Sequence, residues 1–322
     1  MNIVYASDNN FAEILGISMT SLFENNKSSG EIVVYVLDDG INEDNKGKLS
    51  SIADSYSCQL IFVDVKGYEV PESVQSERWS KSAFTRLFMK QLLPNNISKV
   101  LYLDCDILIR NSLEELYNTD VSEYVAASVR DCVSKIYLNN LGIDAAGFYC
   151  NSGVLLINME KWDSEMFMNF FDKHKNVIKY PDQDIINGVC SKNMLEADVK
   201  YNNYTALYDF TYKDLMTFRK PSKYYTEAEV AESKKNPVIV HFTTSFLSLR
   251  PWIEGCQHPY AKEWLRYKTM TPWADAPLRK DNRSWKKKLA VKIYKLLPHY
   301  MAVGIAGILH AKIVPALKRR KK

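Results

Sequence analysis

The chain has 322 residues, 46% of them hydrophobic, enough for one large core or two smaller ones, and this excludes an intrinsically disordered protein. Its formal charge of +4 conceals an asymmetry: residues 279–322 hold 14 Lys/Arg and one Asp (+13), leaving 28 basic and 37 acidic residues (−9) in the first 278. An acidic body with a basic tail directs only the tail toward an anionic surface. Six scattered cysteines, with no CxxC pair and no metal-finger spacing, favour a reduced, intracellular chain. The start, MNIVYASDNN, lacks a positive n-region and runs straight into a strand pattern, so it does not read as a signal peptide.

In chain order, a strand over 2–7 precedes a helix over 12–25, a strand over 31–40 a helix over 43–56, and a third strand follows at 58–65. This alternation predicts an α/β fold with a mainly parallel sheet. A helix over 80–94 follows, with Ser80 or Ser82 as cap and Pro94 as stop, then a buried strand over 99–109. Further strands are expected at 124–128, 148–159 and 237–242. Ligands of open parallel sheets bind outside the carboxyl ends of strands. Polar residues stand at several such ends: Asp8 and Asn10, Asp38 and Asp39, Asp104 and Asp106, and His241.

The segment VLYLDCDILIR places Asp104 and Asp106 one residue apart in an apolar run. Strand alternation points both to one face, with Cys105 on the other. Two desolvated carboxylates side by side repel unless a cation lies between them, and a hard divalent ion such as Mg²⁺ or Mn²⁺ meets that need together with substrate phosphates. A pair of strand-end aspartates capping the next turn is the plainer alternative. A calcium loop does not fit, because Leu108 and Ile109 stand where further ligand-loop residues belong. A phosphohydrolase of the D-x-D type is disfavoured, since about a hundred residues precede the motif and Leu108 follows it.

The blocks MNIVYASDNNFA, SAFTRL, KVLYLDCDILIRNSLEELYNTD, NSGVLLINMEKWD, PDQDIING and VHF, in this order over residues 1 to about 265, resemble glycosyltransferase family 8. That family groups retaining, metal-dependent enzymes of the GT-A fold, among them bacterial lipooligosaccharide galactosyltransferases. The resemblance implies a GT-A catalytic domain over 1–265 and leaves 266–322 as a basic, helical, membrane-associating region. It implies a UDP-hexose donor, UDP-galactose or UDP-glucose, whose nucleoside would lie against Ala6, Asp8 and Asn10, with Arg86 reaching the donor. Asp104, Asp106 and His241 would hold the metal, Mn²⁺ in preference to Mg²⁺ because one ligand is imidazole. Asn151 and Asp182 resemble the residues that hold the donor sugar, and Gln183 the side chain beside the reacting carbon. Either Asp182 or Asp184 could instead cap a helix, Asn151 could make a turn, Arg86 could be a surface ion-pair residue, and His241 a satisfied core histidine.

One departure stands out. The family often has Gly at the third position after the metal His and Lys-Pro-Trp soon after; here the run is HFTTSFLSLRPW, with Thr244 for Gly, a longer segment, and Arg250 for Lys. Arg250 is therefore the candidate diphosphate clamp, and the altered segment is the one feature that supports a sugar-nucleotide-binding protein without turnover. The acceptor, a glycan or lipid-linked saccharide, would be chosen by segments 130–147 and 205–235.

The tail segment 284–300 sets Trp285, Leu289, Ile293, Leu296 and Leu297 on one helical face, with Lys287, Lys288, Lys292 and Lys295 mostly off it. Such a helix suits an anionic bilayer surface, where each basic residue contributes roughly 1 kcal/mol. The expected location is the cytoplasm, attached to the inner face of the cell membrane. Nucleic acid is not expected, because the body has no basic groove or stacking motif. The apolar window 300–317, interrupted by His310, Lys312 and Pro315, reads as too short for a span of roughly 20 residues.

Overall fold

A computed structural model describes residues 1–65, 84–144 and 147–319. The proposed caps Ser80 and Ser82 lie outside the described residues; within them, the expected 80–94 helix is a 3₁₀ turn, Arg86–Phe88, and a short helix, Met89–Leu92.

Ten strands carry the frame: β1 Asn2–Ser7, β2 Val33–Asp38, β3 Gln59–Asp64, β4 Lys99–Leu103, β5 Ile107–Ile109, β6 Ala126–Arg130, β7 Cys150–Asn158, β8 Met194–Glu196, β9 Asn203–Tyr204 and β10 Ile239–His241. Seven form one sheet in the order β3-β2-β1-β4-β7-β6-β8. All neighbours pair parallel except β7, which runs antiparallel to β4 and β6. A small sheet, β5-β10-β9, stands beside it. The large sheet is buried on both faces: Ile3, Tyr5, Leu101 and Leu103 enter one core, Val4, Val100 and Tyr102 the other. Burial on both faces is why these strands read as unbroken apolar runs.

The expectation of a single strand through 99–109 is corrected. The chain turns at residues 104–106, so that β4 belongs to the large sheet and β5 to the small one. Asp104 and Asp106 therefore meet at a junction between sheets and not along one pleated face. The antiparallel β7 matters equally. Its register pairs Leu103 with Val154, and the Asp104 amide donates to the Gly153 carbonyl at 2.8 Å. The start of β7, Asn151-Ser152-Gly153, is thereby laid beside the end of β4.

The chain beyond 265 continues on the body. In the helix Ala261–Lys268, Trp264 and Tyr267 are buried. The buried Lys268 ammonium donates to the carbonyls of Trp273, Ala274 and Ala276 and lies 3.6 Å from Glu13. The helix Trp285–Leu296 has no fully buried residue and touches the body through Tyr294, whose ring meets Phe246. The following helical stretch, His299–Leu317, has 19 residues, and by length and composition alone is long and apolar enough to cross a membrane. One side of it packs on the body through Ala302, Val303, Gly307 and Ala311. A Cβ on Gly307 would lie 2.5 Å from the Thr217 carbonyl, so the helix crosses Tyr212–Arg219 backbone against backbone. Its other side exposes Met301, Ile305, Ile308 and Leu309.

Candidate active site

Three strand ends meet at one point. Asp104 follows β4, Asp106 precedes β5, and His241 closes β10, which pairs antiparallel with β5. One ligand atom from each lies within 4.8 Å of the others. His241 Nε2 is 3.1 Å from Asp106 Oδ1 and 3.7 Å from Asp104 Oδ2. Two carboxylates and an imidazole are a fitting donor set for a hard divalent cation. The space is kept by Gly153: a Cβ there would lie 2.2 Å from His241 Cε1 and 2.9 Å from Asp104 Oδ2.

The ring of His241 is oriented from behind. Its Nδ1 lies 2.9 Å from Asn202 Oδ1, which acts only as an acceptor, so Nδ1 carries a proton. Nε2 points into the cluster, and although burial opposes the ring's charge, Asp106 holds it above the usual histidine range. Asn202 Nδ2 in turn donates to Asn151 Oδ1 at 2.9 Å. Asn151 is thus no mere turn residue; it shares a buried chain with the candidate metal ligand.

Arg86 is buried between acids. Its guanidinium contacts Asp104 Oδ1 at 2.8 Å, Asp182 Oδ2 at 3.1 Å and the Ser152 carbonyl at 3.2 Å, and lies 4.3 Å over the Tyr102 ring. Burial opposes its charge, yet Asp104 and Asp182 hold it firmly cationic. Burial raises the Asp104 carboxyl above the usual range, and the Asp106 charge adds to this against the pull of Arg86. Asp106 is held below the usual range: burial opposes its charge, but His241 and Arg250 outweigh it. The pair is under charge stress of the kind that a cation between them relieves.

Asp182 and Gln183 open the helix Pro181–Cys190. Asp182 Oδ2 also accepts from Ser152 Oγ at 2.9 Å. Gln183 is held at both ends: Oε1 accepts from the Ser152 amide at 3.2 Å, and Nε2 donates to Asp131 Oδ2 at 3.0 Å and Tyr149 Oη at 3.2 Å. Neither acid is the helix cap, which is Tyr180; Asp184 lies one turn inside the helix and reaches back over its start. Its buried carboxylate takes the amides of Lys179 and Tyr180 at 2.6 and 2.9 Å, together with the hydroxyls of Tyr137 and Tyr149.

Arg250 lies 3.6 Å from Asp106 and donates to Thr244 Oγ1. The lengthened segment therefore still delivers its cation to the cluster. Ala6 touches the cluster's edge, its carbonyl accepting from Cys105 Sγ at 3.3 Å. Asp8 caps the turn Asn9–Phe11, and the Asn10 carbonyl accepts from Arg279; neither side chain is bonded to the cluster. Asp38 is not part of it, being tied to Lys46 at 2.9 Å and to the amides of Gly40 and Ile41. Asn202 and Asp131 were missed. Asn202 sits in YNNY and Asp131 in VRDC, and no spacing signal marks either.

This two-sheet α/β frame, with a carboxylate-imidazole cluster where the sheets meet, is the architecture of sugar-transferring enzymes of the GT-A type. A solved structure of the galactosyltransferase LgtC in complex with donor and acceptor sugar analogs superposes with a TM-score of 0.70 at 26% identity, over 84% of this chain and 96% of that one. Residues 2–255 match Glycosyl transferase family 8, and the chain belongs to that family. Among curated relatives, General stress protein A of Bacillus subtilis is 28% identical over 280 residues, 85% of this chain and 94% of that one. The Lipopolysaccharide 1,2-glucosyltransferase of Escherichia coli K12 is 25% identical over 316 residues, 96% and 89% of the respective chains.

Proposed function

We propose that the protein is a retaining, metal-dependent hexosyltransferase that moves galactose or glucose from a UDP-sugar to a glycan or lipid-linked saccharide. The observation that carries this reading is the convergence of Asp104, Asp106 and His241 within 4.8 Å, inside a family 8 chain. These three residues would hold a divalent cation, Mn²⁺ by preference given the imidazole. Bound there, it supplies Lewis-acid stabilisation of the departing diphosphate.

The chain's own residues do the rest. Arg86, gripped by Asp104 and Asp182, places a fixed cation beside the donor, and a pre-set charge costs no reorganisation as the bond breaks. Arg250 adds a second cation over the diphosphate. Asn151 and Asp182 take the hydroxyls of the donor sugar. Glycosyl transfer passes through oxocarbenium character, and the Gln183 carboxamide, locked at both ends, presents a fixed dipole to it. An amide is a poor nucleophile. The reading is therefore a front-face route, in which the leaving phosphate accepts the acceptor hydroxyl's proton while that oxygen bonds the same face of the sugar.

In this reading residues 1–265 do the chemistry and 266–322 the membrane contact, on the cytoplasmic face. Support for the second comes from the exposed Trp285, Leu289, Ile293 and Leu296, flanked by lysines. One side of His299–Leu317 is packed on protein, which favours a helix lying in the membrane surface over one surrounded by lipid.

The test is UDP release by the purified chain from UDP-galactose and UDP-glucose, with Mn²⁺ and with EDTA, beside Asp106→Ala. Release from one donor that needs both metal and Asp106 is expected, with the variant down on the order of a thousandfold. Donor binding without release, even with saccharide acceptors present, would overturn the reading.

A further inference from the structure

A second polar site lies where Val133, Ser134 and Tyr137, together with Lys179 and Arg219, meet the C-terminal helix. It is a small pocket of about 20 Å³, lined in part by Ser134, Tyr137, Lys179, Arg219 and His310, with Val314 and Pro315 of the C-terminal helix at its rim. That volume admits one water-sized group.

Its chemistry is one-sided. Arg219 Nη1 faces His310 Nε2 at 3.4 Å. Burial, together with the charges of Arg219 and Lys179, pushes His310 down to about 3, so the ring is neutral. Facing a guanidinium, Nε2 must be the lone-pair side, and the proton resides on Nδ1. Among the described residues, His310 Nδ1 and Arg219 Nε are buried without a hydrogen-bond partner. Neither Arg219 nor Lys179 has a carboxylate within ion-pair distance among those residues; Lys179 Nζ lies over the Tyr180 ring, 4.7 Å away. Two cations and two orphaned N–H donors call for an anion's oxygen.

The surroundings say which anion. Burial opposes the Arg219 charge, and Asp131 is the principal group holding it on; Asp131 is the same carboxylate that takes Gln183 Nε2 at 3.0 Å. One carboxylate thus acts on both the pocket's arginine and Gln183 of the candidate site. Outward, the rim residue Val314 is exposed, as are Leu317, Ile313 and Leu309 beyond it on the same helix. A phosphoryl oxygen seated in the pocket would have sugar toward Gln183 on one side and apolar helix on the other.

We propose that Arg219, Lys179 and the Nδ1–H of His310 bind the phosphate of an acceptor whose saccharide is joined to a lipid through phosphate, the lipid running along the outer face of His299–Leu317. This rests on the transferase reading above and narrows its acceptor class.

The test is isothermal titration of the full chain with octyl phosphate, octyl glucoside and inorganic phosphate, each below micelle concentration, comparing wild type with Arg219→Gln, Arg219→Lys and Lys179→Gln. Wild type should prefer octyl phosphate over both other ligands by about tenfold or more, Arg219→Lys should keep part of that preference, and both Gln variants should lose it. Thermal unfolding midpoints identify a variant that fails to fold. If Arg219→Gln unfolds, the half-buried Lys179 decides. Equal wild-type affinity for inorganic and octyl phosphate would overturn the lipid assignment. An unchanged preference in folded variants, or none in wild type, would overturn the site. Mn²⁺-dependent UDP release, measured on the same wild-type sample, separates the two readings. Release without the octyl phosphate preference sinks the phosphate site alone, and the preference without release sinks the transferase.

Discussion

The candidate active-site junction and the C-terminal helices solve opposite problems. At the junction, charged and polar groups are buried and each is held by partners from distant parts of the chain: Arg86 by Asp104 and Asp182, His241 by Asn202, Gln183 by Ser152 and Asp131. In the tail, apolar groups are exposed and the lysines largely solvated: Trp285 is 69% and Leu296 75% exposed. Buried charge is costly unless paired, and these long-range partners hold the junction to one arrangement. An exposed apolar face with basic flanks needs only helical spacing, so it suits a fluid, chemically loose partner such as a bilayer. The proposed phosphate pocket lies where the two regimes touch.

The sharpest way to break this contrast is to intrude on the junction's packing. Gly153→Ala puts a methyl 2.2 Å from His241 Cε1. Metal-stimulated UDP release should fall about a hundredfold or more, since misplacements of about 1 Å cost that much, while vesicle binding is untouched. An unchanged rate would mean that the cluster is not the metal site.

Buried histidines should make the protein acid-sensitive, His258 in the body and His310 in the docked C-terminal helix. His258, 5% exposed among Tyr208, Phe242 and Tyr260, is pushed down to about 4 by burial. Between pH 6.5 and about 4 the unfolded chain binds a proton that the folded chain refuses. Stability present above pH 6.5 is therefore lost as pH falls, by on the order of 3 kcal/mol at most. Thermal melts at pH 7 and 4.5 should show this, and His258→Asn should lessen it, leaving the share of His310; equal slopes for both proteins would refute the assignment.

Asn202→Ala tests whether the junction's order comes from behind the ligands. Removing the acceptor that fixes the His241 ring should weaken Mn²⁺ binding about 10- to 100-fold, readable by titration of bound manganese. Wild-type affinity would show that the ring needs no such support. The smallest effect is expected in the tail. Lys287→Gln and Lys292→Gln should each weaken binding to vesicles containing anionic lipid by about fivefold. Raising salt should shrink the difference; a salt-independent loss would point to packing instead.

Much of the site was legible because its residues lie in contiguous motifs. Asp104 and Asp106, Asn151, Asp182, Gln183 and His241 stand at strand ends or a helix start that local pattern locates, and the structure gathers all of them. Asp8 and Asn10 were legible both as strand-end residues and by resemblance; the Asp8 side chain caps the turn Asn9–Phe11 and Asn10 is exposed. Asn202 and Asp131 left no trace in the sequence, because a side-chain amide or carboxylate that acts by orienting a neighbour obeys no spacing rule.

Composition and periodicity by themselves determined the α/β class, the acidic body with its basic tail, and the amphipathic face of residues 284–296, for each follows from the identity of near neighbours in the chain. Three things were decided only by tertiary structure. The carboxylates meet because the chain changes sheets at residues 104–106, not because a strand alternates. The antiparallel course of β7 brings Gly153 against Asp104. The helix beyond residue 299 docks on Tyr212–Arg219 through Gly307 and so carries His310 to Arg219. All three depend on pairing between segments far apart in the chain, where register and close backbone approach are set by the whole packed assembly and not by any local run of residues.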